Sequence, residues 1–138
     1  MKAAGRIHWG RVVIGAILVE VSLIVTTVPV ALVFGPTAFF AVVPPACFAM
    51  GFLFAFWVAR KVESRFILHG TMVGMIATAI YIGLWLGQSG SIMPAIELYG
   101  PFLFILSNGL RILGCVAGAA FAERKRIEAA KTYDETPA

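Results

Sequence analysis

Two ionisable residues lie where ionisable side chains are rare. Glu20 and Arg111 each occur inside a long run of apolar residues. A charge at the centre of a membrane helix costs about 2.5–3.5 kcal/mol on insertion scales, so each needs a partner or water. Counted from the basic residues at the ends of their runs, the two depths differ by about 6 Å, which an arginine side chain can span. We therefore predict a buried ion pair, supported by the polar side chains of Ser107 and Asn108.

Two interpretations of this pair remain open from the sequence. In the first, the pair only fixes the register of the helices, because a polar contact can specify partners in a membrane bundle without any chemistry. In the second, Glu20 exchanges a proton, or Arg111 receives an anionic group in a small cavity, because ionisable residues inside membranes are functional candidates by default. A structural pair predicts that the double variant E20Q/R111Q recovers stability that each single variant loses.

The elements that position these residues are four apolar stretches. Of the 138 residues, 60% are apolar and 13% are charged, against about 25% charged in soluble domains. This composition excludes a disordered protein, a nucleic-acid binder with a basic face and an ordinary soluble enzyme. Each stretch is close to the roughly 20 residues that cross a bilayer as a helix. The sequence predicts an all-α, polytopic membrane protein with one transmembrane domain over 1–138, an up-down-up-down bundle of four transmembrane helices at about 12–34, 38–59, 66–87 and 102–122, and a tail at 123–138.

The lysines and arginines predict the orientation of these helices. Ten of the eleven precede the first stretch, separate the second from the third, or follow the fourth. Segments 35–37 and 88–101 contain none. The positive-inside rule then places both termini and the central loop on the cytoplasmic side of the membrane. Within the second segment, Ser91 is positioned to cap a short interfacial helix that includes Tyr99.

A Gly-Pro pair precedes the second and the fourth stretch, as Gly35-Pro36 and Gly100-Pro101. The repetition has two interpretations: a duplicated hairpin, or the shared need of every such hairpin for a turn and basic flanks. In either case, Gly35-Pro36-Thr37 predicts a tight turn that makes the first two stretches a helical hairpin.

Small residues at helical spacing predict which helix faces pack together, because lipid already solvates the apolar side chains. The third stretch contains Gly70-x-x-x-Gly74, and the fourth contains Gly114-x-x-x-Gly118 on the face that carries Arg111. We predict that the third and fourth helices pack closely against each other through these glycines.

The remaining residues offer little chemistry. The sequence has no HExxH, no CxxC and no phosphate-binding glycine loop. Cys47 and Cys115 are single cysteines inside apolar stretches, and His8 and His69 lie near the ends of stretches, where interfacial placement is the simplest interpretation. We therefore expect no enzyme, no cofactor, no metal site and no nucleic-acid partner. The expected partners are the lipid bilayer and either a second copy of the chain or another membrane protein.

The segment Gly15-Ala16-Ile17-Leu18-Val19-Glu20-Val21 resembles the first helix of the small multidrug resistance transporters. The resemblance implies a four-helix fold, Glu20 as the carboxylate that binds protons and cationic drugs, and a transporter formed by two chains. In its general layout, the chain is similar to small uncharacterised four-helix proteins of bacterial inner membranes.

Two functions follow as hypotheses. The first is a structural, accessory or partner-binding role in the inner membrane. The second is a proton-linked small-solute transporter that acts as a homo-oligomer, because four helices alone leave little room to enclose a pathway. A transporter requires a water-accessible cavity that reaches Glu20, whereas an accessory protein requires a closely packed bundle and a partner that co-purifies with it.

Overall fold

The computed structural model describes residues 7–134, which form three α-helices. They are α1 (Trp9–Ala59), α2 (Phe66–Ser89) and α3 (Met93–Asp134). Each helix is long and apolar enough to cross a membrane, and each contacts the other two. The chain is a helical membrane protein with several candidate spans.

The predicted count of four helices is wrong, because the described residues form three. The predicted boundary at 35–37 falls inside α1, and most of segment 88–101 belongs to the start of α3. At each place a single residue leaves helical geometry: Gly35 has φ 81° and ψ −179°, and Gly100 has φ 71° and ψ 150°. The helix therefore resumes at once, and no separate linking segment forms.

The Gly-Pro pairs explain both interruptions. Pro36 and Pro101 disfavour helical geometry in the residue that precedes them. Gly35 and Gly100 instead adopt a positive φ, which glycine tolerates because it has no Cβ. Each proline also suits the first position of a helix, where an N–H group would lack a partner in any case. Each Gly-Pro pair thus bends the chain and also starts the next helical segment.

The bend at Gly35 folds α1 back on itself. We call residues 9–34 the first arm of α1 and residues 36–59 its second arm. Arg11 Nη1, near the start of the first arm, donates a hydrogen bond to Lys61 O at 2.6 Å, just beyond the end of the second. Both ends of α1 therefore lie at the same end of the molecule.

Small and β-branched side chains fill the interior of the fold. A methyl group at Gly15 in the first arm would lie 2.6 Å from Val58 Cγ2 in the second arm. Large apolar side chains point outward, and Leu32 and Phe102 are 81% and 75% exposed. This distribution suits a bilayer, where lipid solvates the outer side chains and close backbone approach holds the helices together. The residues with no exposed surface include Val12, Ala16, Val19, Ala55, Val58, Val73, Ala77 and Cys115.

Two of the four predicted packing glycines bring α2 against α3. A methyl group at Gly70 would lie 2.5 Å from Cys115 O, and one at Gly74 would lie 3.0 Å from Ile112 Cα. Neither position has room for a larger side chain. The two backbones consequently approach as closely as the prediction for these two helices requires.

The other two glycines contact a different helix from the one predicted. Methyl groups at Gly114 and Gly118 would collide with the carbonyl oxygens of Phe48 and Phe52 in the second arm of α1. The interface of these glycines is therefore with α1 and not with α2. Successive helical residues are turned by about 100°, so the small residues of α3 form a band wide enough for two neighbours. Gly114 and Gly118 face the second arm of α1, whereas Cys115 lies close both to that arm, at Gly51, and to α2, at Gly74.

Both ends of α3 extend beyond the predicted span. At its start, Met93 N donates a hydrogen bond to Ser91 Oγ at 3.1 Å, so Ser91 caps the helix as expected. At its other end, the helix continues through most of the predicted tail to Asp134. The last four residues of that tail lie outside the described part of the chain.

Candidate functional site

The structure brings the side chains of Glu20 and Arg111 together. Glu20 lies in the first arm of α1 and Arg111 in α3. Arg111 Nε lies 3.2 Å from Glu20 Oε1, and the two side chains are only 4% and 6% exposed, respectively. These two atoms lack the alignment of a hydrogen bond, so the contact is ionic. The two buried charges compensate each other inside the protein.

The rest of the guanidinium group is also engaged by this chain. Arg111 Nη1 donates a hydrogen bond to Asn108 Oδ1 at 3.0 Å. Arg111 Nη2 lies 3.8 Å from Cys47 Sγ, and Arg111 Cζ lies 4.9 Å from the centre of the Tyr81 ring. All three guanidinium nitrogens and one face of the group therefore have partners. These partners come from α1, α2 and α3, so a single side chain connects every helix of the fold.

The two predicted supporting residues behave differently. Asn108 Nδ2 donates a hydrogen bond to Phe104 O at 2.8 Å, which orients Asn108 Oδ1 toward Arg111. Ser107 is buried, but its hydroxyl oxygen makes no hydrogen bond. Asn108 thus supports the ion pair directly, whereas Ser107 lies beside it without a bond to either charge.

Two small cavities adjoin the ion pair. The larger has a volume of about 80 Å³, and the smaller, of about 20 Å³, lies between Ser107, Asn108 and Arg111. Pockets for organic ligands measure about 300–1,000 Å³, whereas a water molecule needs about 10–15 Å³. The larger cavity has room for a few water molecules or a small ion and is too small for a drug-sized molecule. Residues that line it include Glu20, Thr27, Cys47, Tyr81, Tyr99 and Arg111.

This geometry limits the chemistry of the site. Within residues 7–134, no three His, Cys, Asp or Glu side chains converge to hold a metal ion. The chain matches no protein-family model, no curated protein and no solved structure. Glu20 and Arg111 are therefore interpreted from their own surroundings, in which a buried carboxylate faces a buried guanidinium group.

Sequence reasoning missed two aromatic residues of the site. Tyr81 faces Arg111, and its spacing of seven residues from Gly74 already placed it on the packed face of α2. Tyr99 lines the larger cavity, and its ring packs 5.8 Å from Phe39 and 5.7 Å from Phe40. Tyr99 directly precedes the bend at Gly100, whereas the sequence predicted it only as part of a short interfacial helix.

His69 is a third residue whose surroundings the sequence did not indicate. It is 1% exposed, so its ring is enclosed by the protein near the start of α2. Its Nδ1 donates a hydrogen bond to Arg65 O at 2.9 Å, and its Nε2 accepts one from His8 N at 3.2 Å. Because Nε2 accepts a hydrogen bond from a backbone N–H and Nδ1 faces a carbonyl oxygen, the geometry fits the tautomer with its hydrogen on Nδ1. His69 therefore connects the start of α1 to the start of α2.

Proposed function

We propose that this protein is a structural, accessory or partner-binding component of the bacterial inner membrane, and not an enzyme. The observation that carries the proposal is the engagement of Arg111 by groups of the same chain. Its nitrogens face Glu20, Asn108 and Cys47, and its face covers Tyr81. A ligand-binding arginine needs free donors that point into a pocket, and here the donors serve to hold three helices in register.

The distribution of charge supports an orientation with the basic end in the cytoplasm. The start of α1, its end, the start of α2 and the end of α3 meet at one end of the molecule through three long-range hydrogen bonds. The described basic residues other than Arg111 belong to this end, and the opposite end carries only Glu97 as a charged residue. Reporter fusions at Gly90 and at the C-terminus test this proposal. We expect an exterior signal at Gly90 and a cytoplasmic signal at the C-terminus, and the reverse result would overturn the orientation.

Purification from the native membrane tests the accessory role. The tagged chain is extracted in mild detergent after chemical cross-linking. The same chain with the tag moved to the other terminus serves as the control. We expect a second membrane protein, or a second copy of this chain, in a fixed ratio. Recovery of the isolated chain alone, with measurable solute flux in vesicles, would contradict the proposal.

One observation favours the alternative of a proton-linked small-solute transporter that acts as a homo-oligomer. The cavity of about 80 Å³ brings Glu20 into contact with an internal space that also borders Thr27 and Tyr99. The resemblance of Gly15–Val21 to the small multidrug resistance transporters assigns the coupling role to the same carboxylate. Flux in proteoliposomes at two pH values separates the two proposals. The transporter predicts pH-dependent flux that E20Q abolishes and that E97Q, at an exposed glutamate, leaves intact; the structural role predicts no flux in any of the three.

A further inference from the structure

A cleft opens at the basic end of the molecule, away from the ion pair. Its volume is about 320 Å³, which reaches the lower limit of about 300–1,000 Å³ for ligand pockets. All three helices or their ends contribute to its walls. The residues that line it are Phe56, Arg60, Phe66, Ala122, Lys125 and Arg126.

The three cations of this cleft have no carboxylate partner in the described part of the chain. Arg60, Lys125 and Arg126 are exposed, and none forms an ion pair there. By contrast, the neighbouring Arg124 pairs with Glu128 at 3.0 Å on the outer side of α3. Three uncompensated positive charges therefore converge on one concave surface, which favours an anionic ligand.

Aromatic rings and one backbone carbonyl hold the two arginines in place. Arg126 Nη1 donates a hydrogen bond to Val62 O at 2.8 Å, and Arg126 Cζ lies 5.7 Å from the centre of the Phe66 ring. Arg60 Cζ lies 5.5 Å from the centre of the Phe56 ring. A guanidinium group has five N–H donors, so these contacts orient each arginine and leave donors for a ligand.

An apolar track leads away from the cleft toward the middle of the molecule. The rings of Phe52 and Phe56 stack with centres 6.4 Å apart, and the Phe121 ring lies 5.8 Å from each of them. Phe121 is 42% exposed, so the outer surface of this group is open to the surroundings. A ligand that fits both features has an anionic head and an apolar tail.

We propose that this cleft binds the headgroup of an anionic phospholipid. The phosphodiester lies among Arg60, Lys125 and Arg126, and an acyl chain follows Phe52 and Phe121 into the bilayer. Guanidinium groups bind phosphate oxygens through paired hydrogen bonds, and basic pockets between membrane helices recognise anionic headgroups. The proposal is independent of the role of Glu20 and Arg111, because it involves neither residue.

Lipid binding to the full-length protein in a neutral detergent tests the proposal. The probes are phosphatidylglycerol, phosphatidylcholine and inorganic phosphate, and the readouts are bound lipid by native mass spectrometry and the thermal unfolding midpoint. We expect phosphatidylglycerol to remain bound and to raise the midpoint. Equal binding of phosphatidylcholine would overturn the proposal, as would equal protection by inorganic phosphate without lipid.

Two charge-matched double variants locate the site. R60Q/K125Q removes two cations from the cleft, whereas R124Q/K131Q removes two from the same end of the molecule but outside the cleft. Each cation near an anionic headgroup contributes about a fivefold factor in affinity, so we expect about a 25-fold loss in the first variant and little change in the second. Arg126 stays intact in both, because it also bonds Val62 O. Equal weakening in the two variants would show a general surface attraction and overturn the assigned site.

Discussion

Arg111 and Arg126 lie on the same helix and each faces an aromatic ring, but they differ in burial and in the number of polar partners. Arg111 is 4% exposed and contacts Glu20, Asn108 and Cys47. Arg126 is exposed and contacts one backbone carbonyl and one ring. The first arginine is buried with a partner at each of its three nitrogens, whereas the second is exposed and has a hydrogen-bond partner at one nitrogen in the described part of the chain. The comparison teaches that the engagement of a guanidinium group, rather than its presence in a membrane helix, separates a structural arginine from a ligand-binding one.

Loss of one member of the buried pair gives the largest expected effect. Removal of one partner from a buried ion pair costs about 3–5 kcal/mol, because the remaining charge is left uncompensated. We therefore expect R111Q and E20Q each to lower the free energy of unfolding in detergent by about that amount. E97Q, at an exposed glutamate in α3, is the matched control and should unfold as the wild type does.

The double variant sharpens this test. The loss in each single variant comes from the uncompensated charge that remains, and the double variant leaves no such charge, so E20Q/R111Q should recover most of the stability that each single variant loses. A double variant whose loss equals the sum of the two single losses would show that the residues act separately. The contrast between Arg111 and Arg126 would then lose its physical basis.

The second largest effect concerns the close packing of α3 against the second arm of α1. A leucine at Gly118 would collide with the backbone of Phe52, and overpacking of this kind costs about 1–3 kcal/mol or more. Gly83 in α2 has no atom within 4 Å of an added methyl group, so G83L is a matched control. We expect the midpoint of thermal unfolding in detergent to fall for G118L and to stay at the wild-type value for G83L. Equal behaviour of the two variants would contradict the arrangement of α3 against the second arm of α1.

The apolar stretches and the buried charges could be predicted from sequence because both follow from the cost of polar groups in lipid. The same argument required that Glu20 meet an opposite charge, and Arg111 is the one basic residue inside a stretch. The helix count could not be predicted in this way. Hydropathy divides the chain at Gly35 and Gly100, but a single left-handed glycine bends a helix without a linking segment.

The sequence also could not predict which neighbouring helix each packed face contacts. The small residues of α3 mark a packed surface, yet spacing alone does not tell which neighbour each glycine meets. Gly114 and Gly118 contact the second arm of α1 because α3 lies between that arm and α2. The burial of His69 was missed for a similar reason. Its partner is the backbone N–H of His8, and a backbone group leaves no trace in the residue types.

His69 provides a third test. It is buried and has hydrogen-bond partners at both ring nitrogens, whereas the arginines and lysines around it at the basic end are exposed. H69F replaces the imidazole with a slightly larger aromatic ring that can form neither hydrogen bond, and it leaves the N–H of His8 without its acceptor. At about 0.5–1.5 kcal/mol for each bond, we expect a loss of about 1–3 kcal/mol in the free energy of unfolding. H8A is the control, because His8 contributes its backbone and not its side chain to the bond. A loss of the same size in H8A would mean that the contact between the two rings, and not the hydrogen bond, stabilises this end.

The smallest effect belongs to Arg126, and it completes the comparison with Arg111. R126Q removes one hydrogen bond to Val62 O and one ring contact at an exposed position. We expect a loss of about 0.5–1 kcal/mol, several times less than for R111Q. Its neighbour Arg124 forms an exposed pair with Glu128, and exposed helix pairs contribute about 0.3–0.5 kcal/mol, so R124Q should be close to the wild type. Chemical unfolding in mixed micelles, without added phospholipid, measures all three variants on one scale. If R126Q destabilised the protein as strongly as R111Q, Arg126 would be a structural residue too, and its donors would not be available to a phospholipid headgroup.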